Sequence, residues 1–296
     1  MNDDDAPRRA NKDGPAKQSA QPRSGFARLK ASKAAKKGGE TKAQRAKRFA
    51  PKGPTPEKEV PYHIHGLHAV RATLGNPKRK VYKLMATPNA LQRLEVTPHP
   101  SVDVETVHPK VLDELLGADT VHQGVAALIK PLAEQPLEAP YPHFSIVLDQ
   151  VTDPHNVGAI LRSAAAFDAD AIISTTRHAA RETGTLAKAA SGAFELVPIL
   201  TVRNLADSLE ALKSADTLVI GLEGTADNTL PAAIAAMRKS ADQPIALVMG
   251  SEGKGLRQKT AETCSTVARL PLTGDALASL NVSNAAVLAM YIARST

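Results

Sequence analysis

The feature that most constrains the fold is the regular alternation of short apolar runs and helical stretches from Phe144 onwards. The run Phe144–Leu148 precedes a stretch, Asn156–Phe167, whose apolar residues recur at the spacing of one helix face. Strands separated by helices are typical of a mostly parallel sheet with helices on both faces, so we expect the α/β fold class. The last helical stretch is apolar nearly all round, which predicts a buried helix. The succession comprises predicted strands at Ala171–Ser174, Val197–Val202, Leu218–Leu222 and Ile245–Met249, and predicted helices at Thr183–Ala190, Leu205–Lys213 and Ser283–Ala293.

A smaller α/β unit is predicted ahead of this one, over residues 60–132. It is followed by residues 133–143, which are rich in proline and lack periodicity. That composition predicts a linker, and it leaves residues 144–296 as a second domain. Within the smaller unit we expect strands at residues 80–87, 102–107 and 124–130, and helices at Leu67–Leu74 and Pro109–Leu116.

The first 58 residues form a strongly basic segment. They hold 16 Lys and Arg against 6 Asp and Glu, a net charge of +10, whereas the whole chain carries +7, so the remaining residues carry −3. Few of these residues are large and apolar, so the segment cannot bury enough surface to offset chain entropy and is expected to be disordered. Two roles stay open: an electrostatic arm that binds RNA phosphates, and a solubilising tail.

Cysteine content and hydropathy limit the cellular setting. A single cysteine, Cys264, excludes an intramolecular disulfide and suits a reducing compartment. We expect Cys264 to be a small buried residue and not a nucleophile. The chain begins MNDDDAPRR without an apolar stretch, and no run is long enough for a membrane helix, so we expect a cytoplasmic location and no membrane partner. A metal site at His63, His65 and His68 is disfavoured, because no further ligand cluster accompanies them.

A glycine-rich loop follows the apolar run Ile245–Met249, in the sequence GSEGKG from Gly250 to Gly255. It resembles a phosphate-binding loop but fits neither common template. A Walker loop needs glycine at the position of Val248 and a hydroxyl residue after the lysine, and a dinucleotide fingerprint needs glycine at Gln258. The loop would lie beyond the C-terminal end of a parallel strand, where α/β sheets bind ligands.

Glu252 makes a phosphate ligand still less favourable, because a carboxylate repels phosphate unless a metal bridges the two. The glycines let the backbone approach a ligand closely. Exposed peptide groups could then contact an adenine edge, and a ligand with amide-like or cationic character would suit the loop. An ordinary strand-to-helix turn remains the alternative.

Two further segments carry polar residues at similar turns. Asp153 and Pro154 have the pattern of a helix N-cap followed by a first-turn proline. Asn156 lies in that first turn, and Arg162 falls off the apolar stripe of the same helix, so its side chain is free to face a site or solvent. The second segment, Ser279-Leu280-Asn281-Val282-Ser283, directly precedes the last helix and offers more polar residues than capping requires.

Together these segments resemble the SPOUT class of RNA methyltransferases, and specifically the SpoU-type ribose 2′-O-methyltransferases. The resemblance covers residues 144–296 and rests on three motifs in order. Residues 64–74 and 121–128 resemble the two ends of this family's small substrate-binding domain, which is similar to a ribosomal-protein fold. The motifs are N-x-G-x-x-x-R at Asn156, Gly158 and Arg162, M-G-x-E-G-x-G from Met249 to Gly255, and L-P…S-L-N-V-S from Leu270 to Ser283.

The resemblance implies a deep trefoil knot that binds S-adenosylmethionine (SAM). Carried over to this chain, it implies that Gly250, Leu270 and Leu280 contact SAM, while Gly253 and Gly255 shape the pocket. This chain has one residue more than the usual pattern between Gly274 and Ser279. The family also implies a homodimer with the site at the subunit interface.

The same resemblance implies catalytic roles for five residues. Arg162 would grip an RNA phosphate and lower the pKa of the ribose hydroxyl, since a guanidinium group is a poor base. Asn156, Glu252, Ser279 and Asn281 would position Arg162, substrate and cofactor.

The implied activity is SAM-dependent methylation of a guanosine 2′-OH in 23S rRNA. RNA is thus the expected partner, with no role for DNA. A tRNA ribose methyltransferase and a non-catalytic ribosome-assembly factor are the alternatives. The small first domain favours rRNA over tRNA, since simpler tRNA enzymes often lack it.

Overall fold

The computed structural model describes residues 60–273 and 280–296. The predicted basic tail and Ser279 therefore lie outside the described residues. The described residues form one compact unit that contains two sheets. We call the part from residue 62 to residue 129 the small subdomain, and the described residues between 135 and 295 the large subdomain.

The small subdomain is a four-stranded sheet in the order β1-β4-β2-β3. Strand β4 is antiparallel to β1 and β2, and β3 is parallel to β2. The predicted strands and helices are confirmed to within two residues. The sequence patterns predict neither β1 nor α2, although Thr87 and Pro88 carry a helix-start signal and the Thr87 hydroxyl caps Ala90 N. The elements are β1 Tyr62–His65, α1 Leu67–Gly75, β2 Val81–Ala86, α2 Pro88–Leu94, β3 Asp103–Thr106, α3 Pro109–Leu116 and β4 Val125–Ile129.

The large subdomain is a seven-stranded sheet in the order β11-β9-β10-β6-β7-β8-β5, and every neighbouring pair is parallel. The α/β class is thus confirmed. The elements are β5 Gln135–Pro136, β6 Phe144–Asp149, α4 Pro154–Ala166, β7 Ala171–Thr175, α5 Gly184–Ala190, a 3₁₀ turn at Ala193–Glu195, β8 Ile199–Val202, α6 Leu205–Ser214, β9 Leu218–Leu222, α7 Leu230–Met237, β10 Ile245–Gly250, α8 Gln258–Thr263, β11 Thr266–Ala268 and α9 Val282–Ser295.

The predicted linker is not wholly irregular, because β5 adds an edge strand to the large sheet. Proline is tolerated there since an edge strand need not donate on both sides. Helices cover both faces of the sheet, as alternation along β6 shows. Ile146 and Leu148 join the core formed with α4 and α9, whereas Val147 joins the core formed with α6.

Helix α9 is buried on one side only, so the prediction of an all-round buried helix is wrong. Ala286, Ala289 and Met290 are buried, and the helix packs against α4 and α7. Leu288 and Tyr291, in contrast, are 39% and 59% exposed. The rest of the described chain therefore covers these two apolar side chains only in part.

A buried ion cluster joins the two subdomains. The Arg79 side chain, from the small subdomain, is fully buried between Glu182 and Glu195 of the large one. Its Nε donates to Glu195 Oε1 at 2.9 Å, and its Nη1 donates to Glu182 Oε1 at 2.5 Å. The Tyr62 hydroxyl also donates to Glu182 Oε1, at 2.5 Å. We call these four residues the Arg79 cluster.

Electrostatics in the Arg79 cluster favour the charge-paired state. Burial alone would lower the pKa of Arg79, but the hydrogen bonds and charges of Glu195 and Glu182 offset this and leave that pKa raised. Burial and the neighbouring Glu182 carboxylate raise the pKa of Tyr62, which keeps the phenol protonated. The contact between the subdomains thus depends on buried charged groups that compensate one another, so that loss of one would leave the others without a counter-charge.

The sheet topology places a ligand-binding crevice at the C-terminal ends of β6 and β10. The chain moves from β6 to β7 and β8 on one side, then crosses to β9 on the other and returns to β10 beside β6. Loops after β6 and β10 therefore diverge to opposite sides, and Asp149 and Gly250 face each other across the strand ends. The implied trefoil knot stays a prediction, because residues 274–279 lie outside the described chain.

Candidate active site

The glycine loop after β10 is a tight turn that needs its glycines. A Cβ on Gly250 would lie 2.2 Å from the carbonyl carbon of Gly255, which no side chain can do. Gly253 and Gly255 have φ of +77° and +64°, values that glycine adopts readily. Ser251 and Gly255 exchange backbone hydrogen bonds of 3.1 and 2.9 Å, which close the turn. The backbone, and not long side chains, therefore forms this wall of the crevice.

Three polar side chains, one from each sequence motif, meet beside this loop. Glu252 Oε1 accepts from Asn156 Nδ2 at 3.0 Å and from Asn281 Nδ2 at 2.5 Å. Asn281 Nδ2 also donates to Asn156 Oδ1 at 2.9 Å. We call these residues the Glu252 cluster. It joins the start of α4, the glycine loop and the start of α9 into one arrangement.

Helix capping fixes the positions of Asn156 and Asn281, because each lies at the capped start of a helix. Asp153 caps α4 by accepting from His155 N at 3.0 Å, with Pro154 in the first turn as predicted. Asn281 caps α9 by accepting from Ser283 N at 2.9 Å. The same Asn281 side chain donates to Glu252, so capping and site assembly use one residue.

Asp149 and Arg257 form a second contact at the crevice that the sequence reading missed. Asp149, at the end of β6, is 1% exposed and accepts from Arg257 Nε at 2.7 Å and from Arg257 N at 3.1 Å. This pair ties the end of the glycine loop to the neighbouring strand. The available signal was a carboxylate at the end of an otherwise uncharged strand.

Leu270 and Leu280, the two other residues predicted to contact the cofactor, differ in burial, and two further motif residues have other surroundings. Leu270 follows β11 and packs, partly buried, against the main core, whereas Leu280 is 37% exposed. Gly158 serves helix packing, because a Cβ there would lie 2.4 Å from Ala189 Cβ on α5. Lys254 is exposed on the glycine loop.

Arg162 is not part of the Glu252 cluster. It lies six residues after Asn156 on α4, about 120° away around the helix axis. Its side chain is exposed and makes no hydrogen bond or ion pair with any other residue in the ranges 60–273 and 280–296. It lines a separate cleft of about 570 Å³ between the subdomains. The other residues that line this cleft are His63, His65, His155, Gly184, Thr185, Lys188 and Ala189.

Cysteine, metal-ligand and membrane-helix features are each expected to be absent from the site or the chain, and the described residues bear on all three. Cys264 is buried as predicted, and burial raises the pKa of its thiol to about 12, so it is not poised as a nucleophile. Within the described ranges no three His, Cys, Asp or Glu side chains are placed to share a metal ion. No helix in those ranges is both long and apolar enough to span a membrane.

Comparison with known proteins gives matches across both subdomains. The model of the SpoU rRNA Methylase family matches residues 143–291, and the model described as RNA 2′-O ribose methyltransferase substrate binding matches residues 63–135. The 23S rRNA (guanosine-2′-O-)-methyltransferase RlmB of Pseudomonas aeruginosa is 36% identical over 241 residues, covering 77% of this chain and 94% of that protein.

A second relative and a solved structure agree with these matches. YacO of Bacillus subtilis, named as a TrmH family tRNA/rRNA methyltransferase, is 35% identical over 245 residues, covering 77% of this chain and 93% of the relative. The SpoU methyltransferase AviRb of Streptomyces viridochromogenes, solved with AdoMet, superposes with a TM-score of 0.63 at 21% identity, covering 86% of this chain and 93% of that one. This last likeness concerns the fold.

Proposed function

The chain belongs to the SpoU rRNA methylase family, and on that premise we propose that it transfers a methyl group from SAM to the 2′-OH of a guanosine in 23S rRNA. The observation that carries the proposal is the Glu252 cluster. Three motifs separated by up to 125 residues converge there through hydrogen bonds at the C-terminal ends of β6 and β10. The chemistry is therefore assigned to the crevice and not to the glycine loop alone.

The residues around the crevice fit SAM. The loop presents backbone groups, and its one carboxylate, Glu252, suits a cationic ligand better than a phosphate. Gly250, Leu270 and Leu280 would hold the cofactor. Gly253 and Gly255 would keep the loop in a tight turn, which leaves room for the cofactor in the crevice. When bound, SAM supplies an activated methyl group on a sulfonium.

The chain's own residues have mainly to orient the ribose. Correct placement of two reacting groups is worth roughly 7–11 kcal/mol in favourable cases. Arg162 carries a delocalised positive charge, so it would grip an RNA phosphate and stabilise the ribose oxygen while the hydroxyl proton passes to solvent water. Asn156, Asn281 and Glu252 hold one another in place beside the cofactor, and Ser279 would complete this set.

We assign the active form as a homodimer, for two reasons in this chain. Arg162 and the Glu252 cluster lie on different faces of α4, so one copy does not bring them together. Helix α9 also exposes Leu288 and Tyr291 on its outer side. A second copy packed on this side would cover them and could place Arg162 of one chain at the SAM crevice of the other.

Light scattering should give a dimer mass, and Tyr291→Glu should give a monomer without activity. A fully active monomer would contradict the assignment.

Methylation by an isolated enzyme tests the activity. Purified protein, labelled SAM and either unmodified 23S rRNA or tRNA should give label in the rRNA. The variant Arg162→Ala should lose this labelling while keeping its fold and SAM affinity. Label in tRNA alone would favour the tRNA alternative, which the name of the Bacillus relative leaves open. Label in neither RNA would favour an assembly factor.

The basic segment 1–58 would add affinity for RNA without sequence preference. Its net charge of +10 predicts that deletion weakens binding and flattens the salt dependence. An unchanged salt slope would assign it a solubilising role. A cytoplasmic location follows from an rRNA substrate.

A further inference from the structure

The cleft between the subdomains combines groups from both. His63 and His65 come from β1 of the small subdomain, whereas Arg162 and Lys188 come from α4 and α5 of the large one. Its volume of about 570 Å³ is in the range of sites that hold a ligand of nucleotide size. No residue of the Glu252 cluster lines it.

The charge of the cleft is uniformly positive. Arg162 and Lys188 are cationic, and none of the lining residues is Asp or Glu. Burial lowers the pKa of His63 and of His65, and Lys188 adds to the effect on His65. Both imidazoles are therefore neutral at neutral pH and offer hydrogen bonds, while the lysine and arginine offer charge.

Both walls of the cleft are held in place by the fold. Strand β1 pairs with β4 along its whole length, and Ile64, between the two histidines, is 3% exposed in the small core. Tyr62, at the start of β1, is anchored in the Arg79 cluster. A Cβ on Gly184 would lie 3.5 Å from the backbone oxygen of His63, so the start of α5 packs directly against β1. The spacing between β1, which carries the histidines, and α5, which carries Lys188, is thus set before any RNA binds.

We propose that this cleft binds the RNA backbone beside the ribose to be methylated, with Lys188 contacting a phosphate and His63 and His65 contacting neighbouring phosphate or ribose oxygens. The proposal rests on the proposed function, and it adds that the two subdomains of a single chain share one strand of substrate. Arg162 lines the same cleft, so a strand held there reaches the residue assigned to the reaction. Lys188 is then a substrate-positioning residue and takes no part in methyl transfer.

Lys188 offers a clean test because it is exposed on α5 and outside the Glu252 cluster. In the full-length protein, Lys188→Ala should weaken binding of unmodified 23S rRNA about tenfold, as loss of one charge-assisted hydrogen bond predicts. The slope of log affinity against log salt concentration should fall by about 0.7, the value for one contact to a single strand. Lys188→Arg should retain most of the RNA affinity and most of the salt slope. Filter binding at several salt concentrations measures affinity and slope together.

Two controls separate this role from a structural one. Lys213→Ala removes a lysine of α6 that pairs with Glu210 and does not line the cleft, and it should leave affinity and slope unchanged. Calorimetric SAM affinity should be the same in all variants. In steady-state assays Lys188→Ala should raise the KM for RNA and leave kcat close to the wild-type value, whereas a damaged active site would lower kcat.

The outcomes distinguish this proposal from the proposed function. Wild-type rRNA methylation with an unchanged KM and salt slope in Lys188→Ala would overturn the cleft assignment and leave the activity standing. An inactive wild-type protein whose RNA binding still depends on Lys188 would support the cleft and overturn the activity. A double variant, His63→Ala with His65→Ala, should weaken RNA binding through the loss of their hydrogen bonds, and an unchanged affinity would overturn the proposed contacts of the two histidines.

Discussion

Removing Arg79 should destabilise the protein strongly, because two carboxylates depend on it. The side chain is fully buried, and those of Glu182 and Glu195 are only 9% and 2% exposed. In Arg79→Met both acids lose their buried counter-charge. Breaking a buried ion pair from one side costs about 3–5 kcal/mol. For a protein of this size that corresponds to a fall in Tm of roughly 6–20 °C.

A matched substitution on the same subdomain provides the control. Arg71 pairs with Glu95 at 3.0 Å, but its side chain is 38% exposed and that of Glu95 is 71% exposed. Arg71 also donates to the backbone oxygens of Leu94 and Arg93, at 2.9 and 2.7 Å, so Arg71→Met should cost about 1–2 kcal/mol in all. Urea unfolding followed by circular dichroism, with equal m-values required for comparison, measures both variants.

A compensating variant tests the cause. Adding Glu182→Gln and Glu195→Gln to Arg79→Met removes the unpaired charges and should recover part of the lost stability, since neutral buried groups cost less to desolvate than charged ones. If Arg79→Met loses no more stability than Arg71→Met, or if the triple variant is less stable still, the reasoning about the buried cluster is refuted.

Three further predictions concern single side chains. Tyr62→Phe should lower the free energy of unfolding by about 1 kcal/mol at neutral pH. Because the folded-state pKa of Tyr62 is raised, the phenol contributes its full stabilisation below the unfolded-state pKa near 10 and loses it progressively as the pH rises above that value. In urea titrations at alkaline pH the stabilities of wild type and variant should therefore converge, and a constant difference would refute this. Cys264, with its pKa near 12, should react with a thiol reagent only after unfolding, and Cys264→Ala should keep activity; rapid labelling of the native protein would contradict the assigned burial. Gly250→Ala should lose about 1–3 kcal/mol of stability, and calorimetry should show that it loses most of its SAM affinity. Gly224→Ala is the control, because a Cβ there meets nothing within 4 Å, and it should change neither quantity. Equal behaviour of the two variants would show that the loop is not held as tightly as described.

Local patterns predicted five of the seven strands of the large sheet, β6 to β10, because each of these is an apolar run bounded by turn residues. They did not predict β5 and β11, which are only two and three residues long. The same patterns place Asn156 after β6 and Glu252 after β10, and the ends of adjacent parallel strands open on the same crevice. The common role of Asn156, Glu252 and Asn281 came from the family resemblance. The family resemblance supplied what periodicity does not carry, namely SAM, the knot and the dimer.

The features that sequence reasoning missed are pairings between distant residues. Arg79 meets Glu182 and Glu195 across more than 100 positions, and Asp149 meets Arg257 across 108. Each of these charged residues by itself has the composition of a surface side chain, and burial follows only from the packing of one subdomain on the other. A charged residue with a distant partner leaves no periodic signal.

The face of helix α9 shows a related limit. Its apolar residues extend almost all round the helix, which fits burial within one chain and burial between two equally well. Only the structure reveals that Leu288 and Tyr291 lie on the open side. Hydrophobicity indicates that a surface will be covered, and it does not indicate by what.

The position of the methyl group in RNA tests the central claim most directly. A 2′-O-methyl group protects the adjoining phosphodiester bond from alkaline cleavage, because the free hydroxyl is the nucleophile in that reaction. After incubation with the protein and SAM, unmodified 23S rRNA should show one newly protected position, at a guanosine, and Arg162→Ala should show none. Methyl incorporation without such protection, or protection confined to tRNA, would contradict the account.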